Sequence, residues 1–350
     1  MQVVVTGATG NVGTSVVRAL AADPEVDSIL GLARRRPALE VPKTRWATAD
    51  VVSTDLAEHF RGADAVVHLA WLIQPSRDSA KLRAGNVEGS ARVFAAVARA
   101  GVPALVYASS VGAYSPGPTD RAVDESWPTH GVPTSFYSRH KAEVERLLDA
   151  FEAEHSAVRV VRLRPGLIFS RDAASGIRRL FAGPLLPRAL VRPGLVPFVP
   201  ALPGLRFQAV HSHDVGDAYR RAVLSSARGA FNVAAEPVLD APELGRLLGA
   251  RAVSLPPRPL RAVVDASWRL RLQPTPPGWL DMALAVPVMD TSRARHELGW
   301  TPQHSAGEAL LELLEGIRMG TGLDTPPLAP GTSGPLRVEE FRTGVGATDI

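Results

Sequence analysis

Gln2-Val3-Val4-Val5-Thr6 runs directly into Gly7-Ala8-Thr9-Gly10-Asn11-Val12-Gly13, and a segment with Val12, Val16, Ala19 and Leu20 on one face follows. The β-branched run predicts a buried strand, the three evenly spaced glycines a tight turn, and the helical period an amphipathic helix. Glycine suits a backbone that turns sharply or lies against a ligand with no Cβ between them. A helix opening there points unpaired N–H groups at that spot, so a pyrophosphate is the natural occupant. The spacing is Gly-x-x-Gly-x-x-Gly, a departure from the commoner Gly-x-Gly-x-x-Gly dinucleotide fingerprint that keeps its physical logic. A purely structural reading competes with it, in which the glycines only let the helix pack close to the strand.

Outward from this stretch, Ser28 to Leu32, Arg45 to Ala49, Ala65 to Ala70, Ala104 to Ala108 and Val158 to Leu163 read as further strands. Helices are expected from a Ser53 or Thr54 cap to Phe60, from Asn86 to Ala100, and from Tyr137 to about His155. Strand and helix alternating six times predict an α/β fold, a Rossmann-type doubly wound parallel sheet covered on both faces. This dinucleotide-binding domain is expected over 1–165. Past Arg164-Pro165-Gly166 the regularity breaks into Pro-rich and Leu-rich chain. Residues 166–318 therefore read mainly as a smaller C-terminal substrate-binding lobe, with about 209–235 returning to the main body as the short strands Ala209 to His213 and Gly229 to Val233. Residues 319–350 are rich in Gly, Pro and Thr and read as an exposed, flexible tail. The long Gly112 to Pro133 loop reads as functional or mobile.

The 350 residues are 45% hydrophobic and 21% charged, an ordinary globular balance. There is no cysteine, so disulfide and thiolate-metal chemistry are excluded and a cytoplasmic setting is expected. A formal net charge of +4 with basic and acidic residues interspersed argues against a nucleic-acid partner. Prolines and arginines interrupt the most apolar stretch, Leu185 to Leu205, so no membrane span is expected. No metal site is expected. Lysine is scarce: Lys43, Lys81 and Lys141 are the only three among 39 basic residues. That scarcity singles out Lys141, because Tyr137 and Lys141 are four residues apart on one helix face. An ammonium near a phenol favours phenolate and tunes tyrosine for proton transfer. Ser110, at the end of the Ala104 to Ala108 strand, could orient a carbonyl or alcohol oxygen towards Tyr137. At the end of the second strand an acidic residue would accept from a ribose 2′-hydroxyl, whereas arginine suits a 2′-phosphate. Ala33-Arg34-Arg35 stands there, so NADP(H) is preferred, with NAD(H) second. His68, inside an apolar run, reads as a hydrogen-bonded structural histidine.

These features together resemble an extended short-chain dehydrogenase/reductase of the NAD(P)-dependent epimerase/dehydratase family. The resemblance rests on Thr6 to Gly13, Asp50-Val51, His68-Leu69-Ala70, Asn86-Val87-Glu88-Gly89, Tyr107 to Tyr114, Tyr137 with Lys141, Arg164-Pro165-Gly166, His213-Asp214-Val215 and Glu297 to Pro302, and covers residues 1 to about 315. It implies Tyr137 as acid/base, Lys141 on the nicotinamide ribose, Ser110 on the reacting oxygen and Asn86 as a fourth catalytic member. Ser110 is preferred to Ser109 because the family's serine or threonine falls four residues before the tyrosine that here is Tyr114. The implied cofactor set is Gly7, Thr9, Gly10, Asn11, Val12, Gly13, Arg34, Arg35, Asp50, Val51, Leu69, Ala70, Tyr137, Lys141 and Pro165. Assembly as a homodimer through the helices carrying Asn86 and Tyr137 is implied by analogy.

Two departures stand out. His140 occupies the position before the lysine where many members have serine, which is expected to alter packing or substrate contacts. Val111-Gly112 follows Ser110 where dehydratase relatives have an acidic pair, which disfavours sugar dehydration. The expected activity is hydride transfer between nicotinamide and a carbonyl/alcohol carbon of a small-molecule substrate. Nucleotide-sugar epimerisation is the alternative, with Arg188, Arg192 and Arg206 as candidate diphosphate ligands. The apolar Leu185-Leu186-Pro187 and Leu195 to Pro200 point instead to a lipophilic substrate. A dinucleotide-sensing regulator without turnover is the third reading, and it has no need of Tyr137 and Lys141.

Overall fold

The computed structural model describes residues 1–74, 77–183, 185–188 and 191–333. The chain forms β1 (Gln2–Thr6), α1 (Asn11–Ala22), β2 (Ser28–Ala33), β3 (Thr44–Thr48), α2 (Leu56–Phe60), β4 (Ala65–His68), α3 (Ser79–Arg83), α4 (Gly89–Ala100), β5 (Ala104–Ala108), α5 (Phe136–Glu154) and β6 (Arg159–Pro165). Then come β7 (Leu167–Phe169), α6 (Ala174–Ile177), β8 (Phe198–Ala201), β9 (Arg206–Phe207), β10 (Ala209–His211), α7 (Ser212–Leu224), β11 (Gly229–Val233), β12 (Leu239–Asp240), α8 (Ala241–Leu248), β13 (Arg251–Ser254), α9 (Pro257–Arg269), α10 (Gly278–Ala283), α11 (Ser292–Glu297) and α12 (Ala306–Met319). Seven strands make one sheet in the order β11-β6-β5-β4-β1-β2-β3, each neighbouring pair parallel. This is the doubly wound α/β sheet that the sequence predicts.

Alternation along each strand builds two cores. Val3, Val5 and Val67 face α1 and α7, where they meet Val16, Leu20 and Tyr219, while Val4, Val66 and Leu105 face Phe60, Phe94 and Leu148 of α2, α4 and α5. Trp300, fully buried, seals the first core and donates its indole N–H to Asp214 O at 2.8 Å. The strand order reverses between β1 and β4, and α1 begins at that crevice. Such a switch point is where open α/β sheets bind ligands.

Four expectations need correction. No helix joins β2 to β3, so the alternation has one helix fewer than the strand pattern suggested. Helix α2 is capped by Asp55, whose side chain accepts from Ala57 N, not by Ser53 or Thr54. The helix expected from Asn86 does not begin there: α3 and α4 run into each other through a π-helical turn, Ala84–Glu88, and Asn86 lies within it. Of the two returning strands, only β11 joins the large sheet, beside β6; β10 pairs with β7 in a separate parallel ribbon.

The Gly112 to Pro133 loop is pinned through Val123, whose N–H donates to Val288 O and whose carbonyl accepts from Asp290 N, both at 2.8 Å. The first part of the expected tail packs against the body: Thr325 is 1% exposed, and its hydroxyl donates to Thr9 O at 2.9 Å. A short polar side chain with a loop carbonyl within reach holds what composition marked as loose. Residues 334–350 of that tail lie outside the described residues. Among the described residues no helix is long and apolar enough to cross a membrane.

Candidate active site

Two glycines of the loop serve close packing and the third does not. A Cβ on Gly7, whose φ is +69°, would lie 2.6 Å from Ala70 N, and one on Gly13 would lie 2.3 Å from Gly7 O. These two glycines let β1, α1 and the end of β4 pack closely. Gly10 differs: a Cβ there would meet nothing nearer than Gly7 O at 3.5 Å, so protein packing does not require it. Gly10 lines a cavity of about 610 Å³, together with Gly7, Asn11, Val12 and Gly13. The N-terminus of α1 has no side-chain cap and no acidic residue in its first turn. Uncapped N–H groups beside a bare backbone suit an anion such as a pyrophosphate. Asn11 braces the loop from below, donating to Ile168 O at 3.2 Å and accepting from Ser170 Oγ at 3.0 Å.

The same cavity reaches Ser110, Tyr137 and Lys141. Ser135 caps α5, so Tyr137 and Lys141 fall in its first two turns. Ser110 lies close enough to Tyr137 to influence its phenol, and its Oγ accepts from Gly112 N at 3.0 Å. Lys141 is 3% exposed; its ammonium donates to Ala108 O at 2.6 Å and sits 3.5 Å from the centre of the Trp71 ring. The expected depression of the tyrosine does not follow. Burial raises the Tyr137 phenol above its ordinary value, with the nearby Ser110 hydroxyl opposing, while burial pushes the Lys141 amine well below its own against the pull of Glu145. Desolvation outweighs ammonium-to-phenol attraction because both groups leave water together.

Arg34 and Arg35 line the cavity, and among the described residues neither has a hydrogen-bond or ion-pair partner. Leu69 and Pro165 also line it. Thr9, Asp50, Val51, Ala70 and Asn86 do not. Asp50 turns its carboxylate to Val52 N at 2.9 Å, and Val51 packs on Gly89 of α4. Asn86, fully buried, grips the Leu72 backbone from both sides, accepting from its N–H at 2.7 Å and donating to its carbonyl at 2.8 Å. Its place is behind the wall rather than on it. His140 also faces away, packed edge-on to Phe136 at 6.0 Å, so the departure at that position affects packing. His68 bonds Thr6 Oγ1 at 2.7 Å and Ser90 Oγ at 3.0 Å, the structural histidine expected.

Sequence reasoning missed three groups. One is the aromatic wall: Trp71 and Trp279 flank Tyr137, with ring centres 5.9 and 4.8 Å from it, and Phe181 meets Trp279 edge-on at 5.0 Å. They come from three distant segments, and no local pattern connects them. A second is Pro326 to Leu328, which closes the cavity beside the glycine loop. The third is Glu145, 1% exposed, which accepts from Ser109 Oγ at 2.5 Å, from Arg162 at 2.9 Å and from Arg164 at 2.9 and 3.0 Å. Burial alone would raise this carboxyl, but the two guanidinium groups hold it down at about 2. A signal existed: Glu145 is four residues beyond Lys141, and arginines alternating with Val161 and Leu163 on an interior strand demand a buried anion.

The pattern that defines the NAD dependent epimerase/dehydratase family matches residues 3–234. The chain belongs to the NAD-dependent epimerase/dehydratase family. An uncharacterized protein of Mycobacterium tuberculosis is 26% identical over 326 residues, 92% of this chain and 31% of that protein, so the chain spans about a third of the length of such relatives. L-arabinose 1-dehydrogenase (NAD(P)(+)) of Haloferax volcanii is 33% identical over 184 residues, 49% of this chain and 68% of that one. Among solved structures, Thermus thermophilus UDP-glucose 4-epimerase in complex with NAD superposes with a TM-score of 0.65 at 20% identity, covering 91% of this chain and 99% of that one. The dTDP-glucose 4,6-dehydratase of Streptomyces venezuelae with NAD also gives 0.65 at 20%, covering 91% and 97%. At these identities the structures establish the family's shared fold.

Proposed function

We propose that this family member is an NAD(P)-dependent oxidoreductase that interconverts an alcohol and a carbonyl at Tyr137. The observation that carries this reading is one cavity running from the uncapped α1 N-terminus at Gly10 to Ser110 and Tyr137, with the buried Lys141 beside them. The loop residues Gly7 to Gly13 would hold the dinucleotide's pyrophosphate and Lys141 its nicotinamide ribose. A nicotinamide dinucleotide, when bound, supplies the two-electron hydride donor or acceptor. Ser110 orients the substrate oxygen. Tyr137, neutral at neutral pH because burial raises it, holds the proton that a carbonyl oxygen takes as its carbon is reduced. The reverse reaction returns that proton to Tyr137 as the C–H bond of the alcohol breaks. Arg34 and Arg35, lining the cavity with no partner among the described residues, support NADP(H) as the preferred form.

A nucleotide-sugar epimerase is the second reading, favoured by the fold shared with MoeE5 in complex with UDP-glucose and NAD, at a TM-score of 0.66 and 21% identity. A dinucleotide sensor without turnover would have no use for a Ser-Tyr-Lys arrangement at the cavity's far end. The test is consumption of NADPH followed by absorbance, with a panel of ketones and UDP-sugars, using wild type and Tyr137→Phe. Removing the phenol proton is expected to lower turnover about 10²- to 10⁴-fold while NADPH still binds. Undiminished turnover in Tyr137→Phe would refute its assignment as the proton donor.

A further inference from the structure

The cavity around Tyr137 carries a second message, about what enters it. The wall facing the phenol is built from Trp71, Leu180, Phe181, Trp279 and Met282. Tyr137 is packed between the two indoles, and Met282 and Tyr137 together press on Gly112, where a Cβ would lie 3.0 Å from the thioether sulfur and 2.9 Å from the tyrosine ring. A nucleoside diphosphate needs several charge-assisted contacts to its phosphates. The arginines that could have made them are elsewhere. Arg206 donates to Pro118 O and Thr119 O, Arg188 lies against Gly320 at the end of α12, and Arg192 lies near Glu315 on that helix. None of the three lines the cavity.

Of the basic residues that do line it, Arg34 and Arg35 stand at the end of β2, Lys141 is bonded to Ala108 O, and Arg179 donates to Pro327 O at 2.6 Å. Lys81 adds a single ammonium. Against this sparse charge, the indole N–H groups of Trp71 and Trp279 are closed off from the cavity and, among the described residues, have no acceptor, so these side chains offer it ring carbon and not donors. An aromatic and aliphatic wall of this kind matches an occupant that is mostly hydrocarbon.

We infer that the substrate is a ketone or secondary alcohol on an apolar, ring-containing body with no diphosphate. The inference rests on Tyr137 as the reacting residue, and it specifies the body that brings the oxygen there. An aromatic wall recognises ring faces and edges, and excludes phosphate because a dianion would lose its water without gaining counter-charges.

The test is calorimetric titration of the NADP⁺-loaded protein with 2-tetralone, then with UDP-glucose, alongside turnover of both with NADPH. Binding of 2-tetralone that UDP-glucose at millimolar concentration fails to displace is expected, and Trp279→Ala should weaken it about tenfold. Because that variant could also lose its fold, Phe181→Arg provides a second probe: it should abolish 2-tetralone binding, and its melting curve and NADPH titration establish that it is folded. UDP-glucose binding more tightly than the ketone, or no ketone binding in the wild type, overturns the inference. Ketone binding without any wild-type turnover leaves the pocket's specificity standing and overturns the redox reading, so the two failures separate.

Discussion

Two buried residues make the pH response of this protein specific. His68 is fully enclosed between Thr6 and Ser90, and burial, helped by Lys141, pushes its pKa down to about 3. Between pH 6.5 and that value the unfolded chain binds a proton that the folded chain refuses. Stability is therefore lost as pH falls, by up to about 1.4 kcal/mol per unit from this one group. Urea unfolding of wild type and His68→Gln between pH 6.5 and 5, above most carboxylate titrations, should show a steeper fall in wild type. Parallel curves would mean that His68 is not held neutral. Lys141 works in a higher window. Its amine is depressed below an ordinary value of 10.5, so burial costs stability below pH 10.5 and costs nothing above it. Lys141→Met should raise the unfolding free energy at pH 7 by about 1–3 kcal/mol, an advantage that shrinks as pH approaches 10.5, and should abolish turnover. Spacing already pointed to Tyr137 and Lys141. The direction of their titration was not legible, because it depends on desolvation by Trp71 and neighbours far along the chain.

At the scale of elements, the edge of the glycine crevice is where the proposed preference for NADP(H) is tested. Arg34 and Arg35 follow β2 directly, and β2 pairs with β1 in register from Gln2 with Ser28 to Thr6 with Leu32, which brings the strand's end beside the loop. Two guanidinium groups there would meet a 2′-phosphate. The double variant Arg34→Ala with Arg35→Ala is expected to weaken NADPH about 10- to 100-fold while changing NADH little, as read by nicotinamide fluorescence titration. An unchanged affinity ratio would remove the basis for NADP(H) preference. The position of this pair was readable because strand end and loop are set by local sequence. Asn86 was legible only as a residue of interest. Its action depends on the π-helical turn between α3 and α4, which rotates the side chain onto Leu72 and so orders the segment bearing Trp71.

Across the whole molecule, the cavity is assembled from chain segments more than 300 residues apart. Thr325 ties the 325–328 segment to Thr9, and Arg179 anchors it again at Pro327 O. Replacing Thr325 by valine keeps shape but removes the hydrogen bond to the glycine loop, at a cost of about 1 kcal/mol. NADPH should then bind about 3- to 10-fold more weakly; an unchanged Kd would show that this segment only covers the loop without supporting it. By itself the sequence determined the strand, glycine turn and helix at the N-terminus, the parallel sheet, and the Tyr137 and Lys141 pair on α5, because each rests on periodicity or spacing within a few turns of chain. Tertiary structure alone decided that Asp50 and Val51 stay off the cavity wall, that Trp71, Phe181 and Trp279 meet around Tyr137, that Glu145 gathers Ser109, Arg162 and Arg164, and that part of the expected tail seals the glycine loop. Those outcomes come from burial and from contacts between distant segments, whose free energy exists only once the sheet has brought them together.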